Sequence, residues 1–558
     1  MRDKENRPDG VIELLPRLFG PLSPAGILVG AVLFAMSLTP SMVPRGPEIQ
    51  GALGGLVFAI GYAAAYVVRS GVYWLGVQPA FRPSRVQIYA IYALALMICG
   101  FGLWMGAEWQ NSIRVVWGLP ELDGFATTFV VAIALAVAAL LIFAGRLFEL
   151  LAAKWYRRTA RYLPPRVARG VGLLLALGIF WAVIDGIAFR FALRTIDTTS
   201  RIADLVIPPD LAPPTDADTP GSAASLIAWE DLGRWGRGYV ISGPDRADIA
   251  AFWEKPARQP IRVYVGLTAS GTVEERAKLA FDELVRVGGF ERKYLVIATP
   301  TGSGWLDPGA MNTLEYITRG DVATVAIQYS YLSSPMSVII DPENGLAESR
   351  ALFDLIYGHW TAQPPTNRPR LYLHGLSLGA FLSQETVPLL NMFGDPFHGA
   401  LWTGSPFLSD MWRMVQDRRH PDSPAWRPKF GNGSLIRTAN QDGGLERFEA
   451  PWGPIRLVFL QYGSDPIVFF DYSLAWRRPD WLRANRAPDL GPDMRWVPLV
   501  TMLQVGFDMA VAVGTLGYGH DYAARHYIPA WAETLEPAGW TPEIEARLID
   551  HLRDLTPR

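Results

Sequence analysis

The stretch RPRLYLHGLSLGAF, residues 368–381, decides how the second half of this 558-residue chain is read. Its front, Arg370–Gly375, is short, apolar and aromatic, as a buried strand is. Its end opens LGAFLSQETVPLL (378–390), whose apolar residues recur at helical spacing. Between them lies Gly375-Leu376-Ser377-Leu378-Gly379, a G-x-S-x-G pattern. In such a pattern a strained strand-to-helix turn lifts a serine hydroxyl above a sheet. The two glycines make room where strand and helix converge. In a chain with 53 glycines the five letters alone carry little weight. The strand before them and the helix after them make Ser377 a candidate nucleophile.

A serine needs a base, and the base needs an orienting acid. When the elbow tops a parallel sheet, the chain order is serine, acid, histidine. IRLVFLQYGSDPIVFF places Asp465 in a Gly-Ser-Asp-Pro turn just after a late strand, with Asp471 as the backup. GTLGYGHDYAARHY offers His520 in a loop, whereas His526 and His551 have helix-like surroundings. His374 precedes the elbow on a strand, where neighbouring residues face opposite ways, so a supporting or oxyanion-shell role is expected. An oxyanion hole needs two N–H donors. The Leu378 amide is one candidate, and Gly302 and Ser303 in TPTGSGWLDPG (299–309) supply the other, unless that segment is a plain glycine-rich turn.

Outward from the elbow, RVYVGL (262–267), KYLVIAT (293–299), VATVAIQY (322–329), GALWTGSPF and IRLVFLQYG read as further strands. TVEERAKLAFDELVRVGGF (272–290) and GLAESRALFDLIYGHW (345–360) read as helices between them. Such alternation predicts a mostly parallel sheet with helices on both faces. About fifty residues rich in Trp, Pro and Arg separate the strands near 404 and 456, which is long for a loop. They predict either a cap insertion over the site or a structured surface excursion.

The first half differs. Apolar residues make up 50 % of the chain and charged residues 19 %, with the excess concentrated early. Five stretches, 24–43, 51–68, 87–107, 125–145 and 169–189, are long and apolar enough to span a bilayer of roughly 30 Å. Basic residues cluster in alternate loops. Arg2, Lys4, Arg7 and Arg17 precede the first span, Arg69, Arg82 and Arg85 follow the second, and seven Lys or Arg follow the fourth. The other loops hold only Arg45 and Arg114. This pattern predicts a cytoplasmic N-terminus and everything after residue 190 outside the cytoplasm. Arg190 and Arg194 oppose it weakly. Trp104, Trp109 and Trp117 suit an outer aromatic belt, and Asp185 reads as an interfacial residue or an intramembrane polar site.

The stretch 195–225, dominated by Pro, Asp, Thr and Ser, reads as an exposed linker. The expected organisation is a five-helix transmembrane domain (1–194), a linker (195–225) and a catalytic domain (226–558). WVPLVTMLQVGFDMAVAVG (496–514) resembles a sixth span, but a crossing there would part His520 from Ser377. A buried core helix or a lipid-facing cap is expected instead. The net charge of −2 excludes a global field for nucleic acid. The single cysteine, Cys99, excludes an internal disulfide, and no spacing of His, Cys, Asp or Glu suggests a metal. LGRWGRGYVISGP (232–244) lacks the G-K-[ST] of a phosphate loop. No cofactor is expected.

The blocks SLTPSMVPRGPEIQG (37–51), TPTGSGWLDPGAMNTLEY, GDVATVAIQYSYLSS, GLSLGAF, ALWTGSPF, QYGSDPIV and GYGHDY resemble a bacterial family of polytopic membrane proteins in the α/β-hydrolase superfamily, of the family-9 type with its own N-terminal membrane domain. The resemblance covers nearly the whole chain. It implies an α/β-hydrolase domain with Ser377, Asp465 and His520 at the triad positions. Leu376 departs from the Glu expected before the nucleophile, a position outside the triad. The expected activity is hydrolysis of a lipid or acylated envelope ester through an acyl-enzyme, at a bacterial cytoplasmic membrane and on its outer side. The alternatives are acyl transfer by the same triad, or a transport or assembly protein with an inert hydrolase fold.

Overall fold

The computed structural model describes the chain apart from residues 1–17, 19, 76–82, 184–189, 209–210, 333–336, 338–341, 388–393, 449, 484 and 554–558. The described chain forms two compact units. The first holds residues up to 192 with 471–482 and 490–511, and the second holds 193–470, 483–489 and 512–558. A boundary drawn from composition assigns everything after 225 to the second domain. Contacts instead return two short segments to the first.

In the first unit, helices Pro24–Ser37, Pro47–Trp74 and Pro165–Trp181 each begin on a proline, whose missing N–H costs nothing there. Helix Arg85–Val116 begins on a reciprocal Ser84–Gln87 cap, and Thr127–Thr159 follows. Among the described residues three helices, Pro47–Tyr73, Arg85–Val116 and Thr127–Thr159, are long and apolar enough to cross a membrane. They carry the expected spans 51–68, 87–107 and 125–145. The expected first span is a 14-residue helix that stops at Ser37, short of Pro40 and Pro44. At 1.5 Å per residue it is about 21 Å long, less than the hydrocarbon thickness. The expected fifth span begins in Pro165–Trp181, and its end, with Asp185, lies outside the described residues. Small residues let these helices approach. A Cβ on Gly61 would stand 3.0 Å from the Cα of Gly30.

The end of helix Pro24–Ser37 is satisfied by side chains from three other places. The Ser37 and Thr39 carbonyls accept from Arg45 Nη2 (3.3 and 3.0 Å) and from Gln504 Nε2 (3.3 and 2.9 Å), and Ser37 also accepts from Gln50 Nε2 at 3.2 Å. Gln110 Oε1 takes the Arg45 N–H at 2.9 Å. Asp508 Oδ2 takes the Met42 N–H at 2.9 Å, and Asp508 Oδ1 faces Arg45 Nη1 at 3.8 Å with both side chains fully buried. Gln504 and Asp508 lie on helix Val500–Asp508, which also packs Val500 on Leu53 and Val57. The 496–514 stretch, expected as a buried core helix or a lipid-facing cap, supplies this nine-residue helix to the first unit.

The second unit is built on seven parallel strands: β1 (Ile261–Val265), β2 (Tyr294–Thr299), β3 (Val322–Ile327), β4 (Arg370–Leu376), β5 (Gly399–Thr403), β6 (Ile436–Ala439) and β7 (Arg456–Leu460). Their spatial order is β1-β3-β2-β4-β5-β7-β6. Most are apolar and buried throughout, as strands covered on both faces must be. Helices Val273–Arg286, Pro342–Ala362 and Leu378–Thr386 pack together along the sheet, while Pro308–Ile317 packs against Ala524–Leu535, which covers β5 and β7. β4 lies centrally, so the elbow stands at the carboxyl edge of the sheet. About a third of the expected linker is helical, because Arg190–Leu205 takes in residues 195–205, and Asp204 Oδ1 accepts from the Arg234 N–H at 3.1 Å. The stretch between 404 and 456 contributes helix Asp410–Asp417 and the edge strand β6.

Candidate active site

Strand β4 ends at Leu376 and a helix starts at Leu378, so Ser377 makes the whole turn. Its φ of 58° and ψ of −124° lie where L-residues rarely go. Such strain costs on the order of 1–3 kcal/mol and persists where surroundings enforce it. The enforcement is visible. A Cβ on Gly375 would stand 2.4 Å from the Gly379 carbonyl carbon, and one on Gly379 would stand 2.2 Å from the Thr299 carbonyl oxygen. Only glycines let the strand, the helix and the end of β2 meet. The Ser377 N–H donates to the Thr403 carbonyl at 3.0 Å.

His520 reaches the same strand end. A Cβ on Gly404 would stand 2.6 Å from His520 Cε1, so consecutive residues at the end of β5, Thr403 and Gly404, touch the candidate nucleophile and the candidate base. His520 Nδ1 bonds Asp465 Oδ2 at 2.6 Å, and His520 Nε2 is buried with no hydrogen-bond partner. Asp465 is wholly buried and follows β7. Its Oδ1 accepts from the Ile467 N–H at 2.9 Å, and its Oδ2 accepts a second bond from the Tyr522 hydroxyl at 2.9 Å. A carboxylate with three donors is fixed in direction, which fixes the ring. Burial and the adjacent Asp465 charge push Tyr522 well above its ordinary range, so it stays a donor.

Of the expected oxyanion donors, Leu378 begins the elbow helix, where a first-turn N–H has no acceptor within the helix. Gly302 and Ser303 lie in a tight turn closed by the Thr301 N–H to the Trp305 carbonyl (3.0 Å) and the Gly304 N–H to the Thr301 carbonyl (2.9 Å). The turn is held from behind, with Gln328 Nε2 on the Ser303 carbonyl at 3.0 Å and the Tyr264 hydroxyl on the Gly304 carbonyl at 2.8 Å. Its root at Thr299 and Pro300 presses on the elbow helix.

The remaining candidates are committed elsewhere. His374 Nδ1 bonds the Leu401 carbonyl at 2.8 Å, its ring packs on Tyr527 and Trp531, and burial pushes it down to about 4. It supports the sheet. His526 bonds the Tyr462 hydroxyl, and His551 bonds that of Tyr316 at 3.0 Å. Asp471 accepts from the Ser473 N–H in the first unit. Sequence reading assigned no part to Tyr522, although it stands two residues past His520 in the GYGHDY block. It also passed over Asp307, which is buried just after the Gly302–Ser303 turn, accepts from the Tyr527 hydroxyl at 2.8 Å, and is raised by burial to about 6. Among the described residues no cluster of His, Cys, Asp or Glu suits a metal.

A parallel sheet with a strained serine at its central strand end, and an Asp–His pair on the next loops, is the architecture of an α/β-hydrolase. The sequence family described as Alpha/beta-hydrolase family matches residues 261–548, and that described as Alpha/beta-hydrolase family N-terminus matches residues 38–244. The chain belongs to this alpha/beta-hydrolase family with its own N-terminal domain. No curated protein and no solved structure matches it.

Proposed function

We propose that the protein is a multi-pass membrane serine hydrolase that cleaves esters through an acyl-enzyme. The observation that carries this reading is the buried 2.6 Å bond between His520 Nδ1 and Asp465, set beside the strained Ser377. With Nδ1 held as a donor, Nε2 is the basic nitrogen. It takes the Ser377 proton as Oγ attacks the ester carbonyl. The Leu378 N–H and an amide of the Gly302–Ser303 turn stabilise the oxyanion. The imidazolium, steadied by Asp465, returns the proton to the leaving alkoxide, and water then releases the acid by the same route.

The proposed setting is a bundle of five crossings with the hydrolase on the outer side, acting on a lipid or acylated envelope ester. Two observations support it. Thr39 and Arg45, from the span end and loop that the basic-residue pattern assigns outside, meet Gln504 and Asp508 of the later segment within one unit, and Arg45 is tied there to Gln110. Three described helices are long and apolar enough to cross a membrane, which is what holding the chain at lipid requires.

The test is fluorophosphonate labelling of the folded full-length chain in lipid nanodiscs. Ser377 acquires the label, Ser377→Ala acquires none, and His520→Ala reacts roughly a hundredfold or more slowly. A folded wild type that stays unlabelled overturns the reading.

A further inference from the structure

Residues 471–511 lie between the candidate acid and the candidate histidine. Most of them join the first unit, but 483–489 belong to the second. That return brings Asp489 to rest beneath the site. Its carboxylate is buried, and Oδ2 accepts from the Ser464 N–H at 2.7 Å and from Gln441 Nε2 at 2.8 Å. Ser464 directly precedes Asp465. Its Oγ accepts from the Gly519 N–H at 3.0 Å, and Gly519 directly precedes His520. Gln441 Nε2 also reaches the Gly517 carbonyl at 3.3 Å. One carboxylate therefore gathers three loops, after β6, after β7 and before His520. The backbone is cut to admit it, because a Cβ on Gly463 would stand 2.1 Å from Ala487 Cβ and 2.6 Å from Asp489 Oδ1.

We infer that Asp489 is a positioning residue of the reaction, setting the distance between Asp465 and His520 through Ser464 and Gly519. It touches neither substrate nor reacting atoms. The inference rests on the serine-hydrolase reading of the site. Its physical basis is that a carboxylate bonded to backbone N–H groups is directional, and that small misplacements of catalytic groups are costly.

The test measures short-chain p-nitrophenyl ester hydrolysis per fluorophosphonate-titrated site in the full-length chain, together with the far-downfield proton resonance of the His520 Nδ1–H···Asp465 bond. Asp489→Ala is expected to lower kcat per titrated site by about ten- to a hundredfold with KM unchanged, and to weaken or abolish the resonance. Asp489→Asn, which keeps an acceptor oxygen, restores part of both. A folded Asp489→Ala with wild-type kcat per site and an intact resonance overturns the inference. Should Asp489→Ala fail to fold, Ser464→Ala decides by the same two readouts, a fall in both supporting the inference and wild-type values overturning it. If the wild type hydrolyses nothing and takes no label, the functional reading falls. The resonance then decides alone, its loss in Asp489→Ala supporting the positioning role and its persistence overturning it.

Discussion

Ser377 is one of six described non-glycine residues with a positive φ, and it alone among them stands at the candidate site. At φ 58° and ψ −124° a side chain is a burden, and a glycine would sit there more easily. Ser377→Gly is therefore expected to raise unfolding stability by on the order of 1 kcal/mol, after the flexibility glycine adds to the unfolded chain, while abolishing labelling and hydrolysis. Denaturant titration of both proteins checks it, and a Gly variant less stable than wild type would show that the turn stores no strain. Asp465 is the opposite case. It sits in an unstrained cap position and is held by three donors, so its direction is settled by hydrogen bonds alone.

At the scale of elements, the layer between the sheet and helix Ala524–Leu535 is sensitive to acid. His374 on β4 packs against that helix and His526 lies within it, and burial pushes them down to about 4 and about 3. Both fold neutral. As pH falls below about 6.5 the unfolded chain binds protons that the folded chain refuses, so stability drops until the folded values are reached. His374 alone accounts for on the order of 3 kcal/mol by about pH 4. Asp307, raised to about 6, works the other way, because its cost appears only as pH rises from about 4 to about 6. His398, pushed down to about 4, adds to these two histidines, while Glu348, raised to about 7, joins Asp307, so three shifted histidines stand against two shifted carboxyls. Denaturation midpoints should fall between pH 7 and 4.5, and His374→Asn should flatten that slope. An unchanged midpoint would refute the balance.

The same elements explain what was legible beforehand. Strands β1 to β5 and β7 are buried on both faces and read as continuous apolar runs, and the elbow is a local pattern with glycine at fixed offsets. β6 is four residues, IRTA, inside a Trp- and Pro-rich stretch, too short for a period to show. Helix Arg190–Leu205 hides behind Thr and Asp. Asp465 and His520 are legible as candidates from chain order, and the structure brings them to 2.6 Å, whereas the contacts of Tyr522 and Asp489 run between loops and leave no spacing in the sequence.

At the scale of the molecule, the first unit is held partly by a buried charge pair. Arg45 and Asp508 are fully buried and face each other at 3.8 Å. Removing one leaves the other charged and unpaired, which costs about 3–5 kcal/mol. Asp508→Ala is expected to lose that much in detergent unfolding experiments, and the paired change Arg45→Met with Asp508→Leu is expected to recover most of it. Equal losses in the single and double variants would contradict this account.

Helix Val500–Asp508 also sets how the gene can be cut. A fragment beginning at the apparent linker carries Val500, Gln504 and Asp508 without Leu53, Val57, Thr39 and Arg45, the residues they were shaped to meet. Exchanging the N-terminal half for that of an unrelated membrane protein strands the same face. The two halves are thus one heritable piece, and a substitution in either is constrained by the other across more than four hundred residues of sequence.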